Sequence, residues 1–324
     1  MALPRDRALL VKAARLYYED EMSQDEIAET LGVSRSNVSR MLTDARSQGI
    51  VQIRIVEQAN RDAALEKAIR DLLPVKNIRV ARTLNKLDEF TGVGALGAES
   101  LIERTRPNTT IAVSWGSTLQ AMVNALDAEY QPGIRLVPLV GGMTALSSGS
   151  SGEDLIRTMA TKMGASFSTL LAPVVVRSPE AHKAFINEPT VSEVLDQAAT
   201  AELAVVGIGS KGSSSSMELL HSAGLPTTQY DALTKEMAGD IGARFYDIDG
   251  HELDHGWSDR IVGLSLEQLR RIPFVIGMAA GADKARGVIG AIRGGFVSEV
   301  IISSSCAFEI IRILSNSKQA KVAS

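Results

Sequence analysis

Apolar positions recur at helical spacing in the first fifty residues and at strand spacing beyond Pro74. Leu9, Leu10, Ala13, Ala14, Leu16 and Tyr17 predict a helix over Arg5–Asp20. Ile27, Leu31, Val33, Val38 and Leu42 then fit two short helices joined by a tight turn, within Ser23–Arg46. Ser23 followed three residues later by Glu26 has the spacing of a capping box, so the first helix should run Gln24–Thr30. Gly32 suits the turn, and Ser34 should cap a second helix running through Val38, Met41 and Leu42. With the apolar side chains closed over a small core, Arg35, Ser36, Asn37, Ser39 and Arg40 face outward. This is a helix-turn-helix pattern, whose second helix enters the DNA major groove. Arginine can make a bidentate pair with guanine and asparagine with adenine, so these five residues are the candidate DNA contacts. Ile50–Val56 is β-branched and partly alternating. It predicts a strand, either the wing of a winged helix with Arg54 on phosphate or a strand that merely closes the small domain.

Glu57–Asp62 is polar and Ala63–Leu73 is helical in pattern up to Pro74, so residues 57–77 read as a linker helix between a DNA-binding domain over 1–56 and a second domain over 78–324. In that second domain, short β-rich runs begin at Ile78–Ala81 and recur at Thr110–Val113, Ile134–Val140, Leu170–Val176, Leu203–Ile208, Arg244–Ile248, Phe274–Met278 and Glu299–Ile302. Helical patterns fall between them at Thr118–Leu126, Gly152–Met163, Val191–Ala199, Leu266–Arg270, Ala282–Arg293 and Ala307–Ser315. Such alternation predicts an α/β domain with a mostly parallel sheet covered on both faces.

Composition narrows the function classes. A chain of 324 residues that is 45% hydrophobic can build more than one core. The net charge of −4 argues against indiscriminate coating of nucleic acid, yet Leu31–Arg54 carries four arginines against Asp44 alone. A local basic patch on an acidic chain suits targeted binding to double-stranded DNA. Cys306 is the single cysteine, so no intrachain disulfide can form, and a reducing, cytoplasmic setting is expected. No apolar run reaches membrane-spanning length, and the first residues lack a signal peptide's apolar stretch.

Four predicted strands end in small, hydroxyl-rich loops: Ser114–Thr118, Gly141–Thr144, Gly207–Gly212 and Ala280–Lys284. Ligands of open α/β sheets bind beyond the carboxyl ends of the strands. Glycines let backbone N–H groups approach an anion, and a following helix start adds a favourable dipole. The expected ligand is a small molecule bearing phosphate or carboxylate. Ser114, Gly116, Ser117, Thr118, Gly141, Gly142, Gly209, Ser210, Gly281 and Lys284 are the candidate contacts. Two further motifs lack their context. Gly92–Gly97 matches G-x-G-x-x-G, but Thr83–Thr91 separates it from the nearest strand, so a small-residue helix start is expected rather than a dinucleotide site. His251–His255 matches H-E-x-x-H, but Gly250 and Gly256 bracket it, which disfavours the helix a zinc site needs. No metal and no cofactor are expected.

Read together, SQDEIAETLGVSRSNVSRML, TIAVSWGST, LVPLVGG, AELAVVGIGS, GDIGARFYDIDG and RIVGLSLEQLRRIPFVIGMAAGADKARGVIGAIRGG occur in an order and spacing that resembles the SorC/DeoR-type bacterial sugar-binding transcriptional regulators. The resemblance covers nearly the whole chain. It implies an effector domain similar in fold to sugar-phosphate isomerases and homo-oligomers, dimers or tetramers, that control operons for carbohydrate use. It further implies a sugar or sugar-phosphate effector with its phosphate in the SWGST loop, Asp247 near the sugar and Lys284 at the site. Where the family often has a Thr-Asp-Glu run after the last strand, this chain has Ser303–Ser305. The alternative is an isomerase-like enzyme on the same fold. It is disfavoured because Asp247 and Asp283 are the only evident proton-transfer groups in the loops, and because a metabolic enzyme has no use for a helix-turn-helix. Arg61–Leu73 is expected to form part of the subunit interface.

Overall fold

The structure, a computed structural model, describes residues 7–51, 61–82, 86–127, 132–143, 151–211 and 214–322. It divides into two compact units, Met1–Glu57 and Gln58–Ser324.

The smaller unit holds three helices: α1 (Arg7–Tyr18), α2 (Gln24–Leu31) and α3 (Arg35–Ser47). Ser23 and Glu26 form the reciprocal capping box, and Gly32 ends α2 in the left-handed region at φ 65°. Ser34 accepts the Asn37 N–H and caps α3. Ile27, Val38 and Leu42 close one small cluster, while Leu10, Ala13, Met41 and Ala45 close the other. Each fully buried aliphatic side chain contributes about 1.5–3 kcal/mol, enough in sum to hold a three-helix unit. Of the strand expected over Ile50–Val56, Ile50 and Val51 pack against the Leu10 cluster; Gln52 onward, Arg54 included, lies outside the described residues.

The larger unit contains, in chain order, α4 (Ala63–Arg70), β1 (Asn77–Ala81), α5 (Lys86–Arg104), β2 (Thr110–Val113), α6 (Ser117–Ala125), β3 (Arg135–Pro138), α7 (Gly152–Met163) and β4 (Ser166–Phe167). There follow α8 (Pro179–Asn187), α9 (Pro189–Ala199), β5 (Leu203–Gly207), β6 (Gly209–Ser210), α10 (Ser214–Ser222), α11 (Thr227–Glu236), β7 (Gly239–Ile241) and β8 (Arg244–Tyr246). The last elements are α12 (Leu266–Arg271), β9 (Phe274–Ala279), α13 (Ala285–Arg293), β10 (Glu299–Ser303) and α14 (Ser304–Val322). Seven strands form one sheet in the order β1-β10-β9-β5-β2-β3-β4, every pair parallel. Ala112 stands opposite both Val137 and Ala204 in register. Along β2 the side chains alternate between the two cores: Ile111 and Val113 join the cluster under α5–α7, and Ala112 joins the cluster on the other face. The chain runs outward from β2 to β3 and β4, then returns to β5 beside β2 and runs the other way. The topology therefore switches between β2 and β5, where an open α/β sheet leaves a crevice.

Four expectations need correction. Leu170–Val176 joins no strand of the sheet; it crosses the strand ends, bridging Gly142 through Pro173 and Ile261 through Val175. Of its alternating apolar residues, Leu170, Ala172 and Val176 pack in a satellite cluster with Val191, Val194 and Val262, and Val174 joins the main core. Arg244–Tyr246 does form a strand, but in a separate antiparallel sheet, β6-β7-β8. The helix expected from Ala282 opens with a tight turn over Ala282–Lys284 and becomes α-helical at Ala285. Finally, α4 does not stand between units: Leu65, Ile69 and Leu73 are buried in the core of the larger one, and its buried Glu66 accepts two hydrogen bonds from Arg61.

Candidate functional site

On the smaller unit, the capped start of α3 leaves Arg35, Ser36, Ser39 and Arg40 exposed and Asn37 half-buried, over a floor of Val38, Met41 and Leu42. Arg35 lies 3.6 Å from Asp25 of α2, an exposed pair that holds the guanidinium on the outer face of both helices. The five predicted residues thus fall on one turn-and-a-half of helix, as groove entry requires.

On the larger unit, loops after β2, β5 and β9 enclose a cavity of about 570 Å³ at the carboxyl ends of the strands. Its lining includes Ser114, Gly116, Ser117, Thr118, Gly209, Gly281 and Lys284. Gly116 precedes α6 with φ 136°, a conformation that L side chains rarely adopt, and no side chain accepts from the first turn of the helix. The leading N–H groups of α6 are therefore open to an acceptor in the cavity, with the helix dipole favouring an anion. Ser117 is exposed and Thr118 buried beside it. The Ser114 hydroxyl accepts the Gly207 N–H at 3.1 Å and so ties the β2 loop to the β5 loop.

Lys284 is the basic side chain of the lining, held 3.3 Å from both Ser210 Oγ and Asp283 Oδ2. Ser210 donates to Asp283 at 3.0 Å. Ser210 therefore orients the lysine from behind and is itself 2% exposed.

Three predicted residues are placed elsewhere. Gly141 and Gly142 lie where the chain crosses Ala172–Val174, and they line a smaller adjoining cavity of about 70 Å³ with Ser114 and Trp115. Asp247 is consumed by its own turn: its carboxylate accepts the N–H groups of Asp249 and His251 at 2.9 Å each, and the His251 ring at 3.1 Å. Burial alone would raise this carboxyl, but those hydrogen bonds outweigh it and hold Asp247 below the usual carboxylate range. His251 and His255 sit in a turn rather than on a helix, so they do not share a helical face. The Gly92–Gly97 motif lies inside α5, where Gly94 packs directly on the Ala121 backbone of α6.

The cavity also contains residues that sequence reasoning passed over: Glu89, Phe90, Trp115, Ser216 and Asp240. Asp240 of β7 is 7% exposed and accepts from Ser216. A Cβ on Gly209 would stand 1.9 Å from its carboxylate, so only glycine admits Asp240 there. Burial pushes the Asp240 carboxyl up, against the opposing pull of the Ser216 hydrogen bond and the Lys284 charge. Trp115 separates the two cavities, and its buried Nε1 has no hydrogen-bond partner among the described residues.

Both units resemble known proteins. Residues 57–312 match the family described as "Putative sugar-binding domain", and residues 4–48 match region 4 of sigma-70. The chain is 29% identical over 306 residues to the sorbitol operon regulator of Klebsiella pneumoniae, covering 93% of this chain and 97% of that one. It is 27% identical to the deoxyribonucleoside regulator of Bacillus subtilis, covering 94% and 98%. The crystal structure of the full-length Klebsiella pneumoniae regulator superposes with a TM-score of 0.71 at 27% identity, covering 94% of this chain and 98% of that one. The chain belongs to the SorC/DeoR-type sugar-binding transcriptional regulators.

Proposed function

We propose that this regulator responds to a phosphorylated sugar bound in the 570 Å³ cavity, with its phosphate on the start of α6. The observation that carries the reading is the uncapped first turn after Gly116, open to the cavity and flanked by two hydroxyls. The N–H groups of Ser117 and Thr118 and their side-chain hydroxyls would hold the phosphate oxygens, the dipole adding about 0.3–2 kcal/mol. Lys284 would add a charge-assisted bond, and Asp240, rather than Asp247, would accept from a sugar hydroxyl. Gly209 and Gly281 would form the walls. Pairing of Ser117→Ala with Thr118→Ala should weaken the effector response strongly while DNA binding without effector persists. A double variant that responds at the parent's effector concentration would place the phosphate elsewhere.

α3 would read the operator. Arg35→Ala or Asn37→Ala should each cost about 1–3 kcal/mol of operator affinity and relax selectivity at one base. Operator titrations showing both variants as tight and as selective as the parent would sink that assignment. Because one helix-turn-helix spans only a half-site, the functional form would be a homodimer or homotetramer. The apolar face of α4 is spent inside its own chain, so the subunit interface would lie away from Leu65 and Ile69. Light scattering that gave a monomer both with and without DNA would exclude such an assembly. The relatives named as regulators also favour control by binding over turnover; incubation with sugar phosphates should yield no product.

A further inference from the structure

We infer that Glu89 is a specificity residue, selecting effectors whose end remote from the phosphate donates hydrogen bonds and bears no negative charge. The inference rests on the cavity being the effector site. Glu89 lies near the start of α5, at the carboxyl end of β1, and lines the cavity. It is only 9% exposed, yet its carboxylate makes no hydrogen bond or ion pair among the described residues. The other two carboxylates of the lining are engaged, Asp283 by Lys284 and Ser210, and Asp240 by Ser216. A Cβ built on Gly281 would lie 3.8 Å from Glu89 Oε2, which puts the carboxylate over the loop after β9. Ser305 joins the lining beside it.

The residue is nine-tenths buried while its carboxylate reaches the cavity, where no group of the described residues takes it up. Facing a cavity, it is an acceptor held ready for a ligand donor. Hydroxyls or an ammonium group satisfy it, whereas a second phosphate or a carboxylate at that end meets a like charge in a low-dielectric pocket. The anion-favouring start of α6 and the acceptor on α5 thus give the cavity two ends of opposite preference, suited to a sugar monophosphate.

Thermal-shift titrations of the full chain with glucose 6-phosphate, glucosamine 6-phosphate, fructose 1,6-bisphosphate and 6-phosphogluconate test this. The two monophosphates should stabilise the parent at concentrations lower by about tenfold or more than the two sugars that carry a second anionic group. The glucose and glucosamine arms separate a hydroxyl from an ammonium donor. In Glu89→Gln that gap should close to about threefold or less. Without ligand, Glu89→Gln should melt higher than the parent by about 2 °C, because a neutral amide is less costly to bury. Three results overturn the inference: sugars with a second anionic group binding the parent as well as monophosphates, an unchanged gap in the variant, or a variant that melts lower. Should none of the four sugars bind the parent, the effector reading fails on its own, and the ligand-free melting temperature still decides whether Glu89 is an unpartnered acceptor or a structural one.

Discussion

Two glutamates, both more than nine-tenths buried, stand at opposite ends of the parallel sheet and live in different electrostatic settings. Glu299 opens β10 at the amino end. One of its oxygens accepts from Arg79 at 2.7 Å; the other accepts from Ser100 at 2.6 Å and from Arg104 at 3.0 Å. Arg79 in turn pairs with Glu103, and the Arg104 guanidinium lies 3.8 Å above the Phe274 ring. At the carboxyl end Glu89 has no such partner among the described residues. The strands, their spacing and their hydrophobic faces are shared by both ends, so the difference is one of use. Where the sheet is closed, charge is neutralised within the chain; where it is open, charge waits for a partner. Satisfaction of hydrogen bonds, more than burial, separates framework from site.

The contrast can be broken by exchanging the two fates. Arg79→Ala leaves Glu299 buried beside a missing cation and should cost about 3–5 kcal/mol of stability, read as a lower midpoint in urea. A loss below about 1 kcal/mol would show that the amino-end network is ornamental. The Ser117→Ala and Thr118→Ala pair should show the reverse profile, with a large loss of effector response and a stability change within about 0.5 kcal/mol. A comparable loss of stability would mark α6 as ordinary framework. Acid titration sharpens the same contrast more gently. Burial alone would raise the Glu299 carboxyl, but its bonds to Ser100 and Arg79 outweigh that and hold it low. A carboxylate held low contributes stability that is complete above its ordinary range and lost as pH falls through and below it. Asp240 is held high, so its contribution has the opposite sign: a penalty that grows as pH rises through and above the ordinary carboxylate range. Arg79→Ala should flatten the acid limb of the melting profile, and Asp240→Asn should raise stability near neutral pH. A parallel shift of the whole profile in either variant would contradict the assignment.

Much of this architecture is legible in the chain because β-branched runs and capping serines report local physics. Gly152–Met163 begins and ends as its pattern predicts, with Ser151 as cap and Gly164 in the left-handed region. Leu170–Val176 misleads because alternation signals burial on one side, which a crossing segment achieves as well as a strand. The helices α10 and α11 carry only weak apolar stripes, and the short α8 buries no residue fully, so all three escape notice. At the cavity, Ser117, Thr118, Gly209, Gly281 and Lys284 are readable from loop composition. Glu89 and Asp240 are not: each is an unremarked carboxylate until the fold removes or supplies its partners. Asp247 presents the better motif in sequence, yet its turn uses it up.

The chain has two tryptophans, and their settings make it a built-in optical gauge. Trp257 is fully buried and donates Nε1–H to Ala243 at 2.7 Å, which fixes its surroundings. Trp115 sits on the wall shared by both cavities, its buried Nε1 without a hydrogen-bond partner among the described residues, so a ligand packed against the ring should alter its emission. Trp257 then supplies a steady background and Trp115 the signal. In a Trp257→Phe variant, occupancy of the cavity can be followed by intrinsic fluorescence alone, without a label and without DNA.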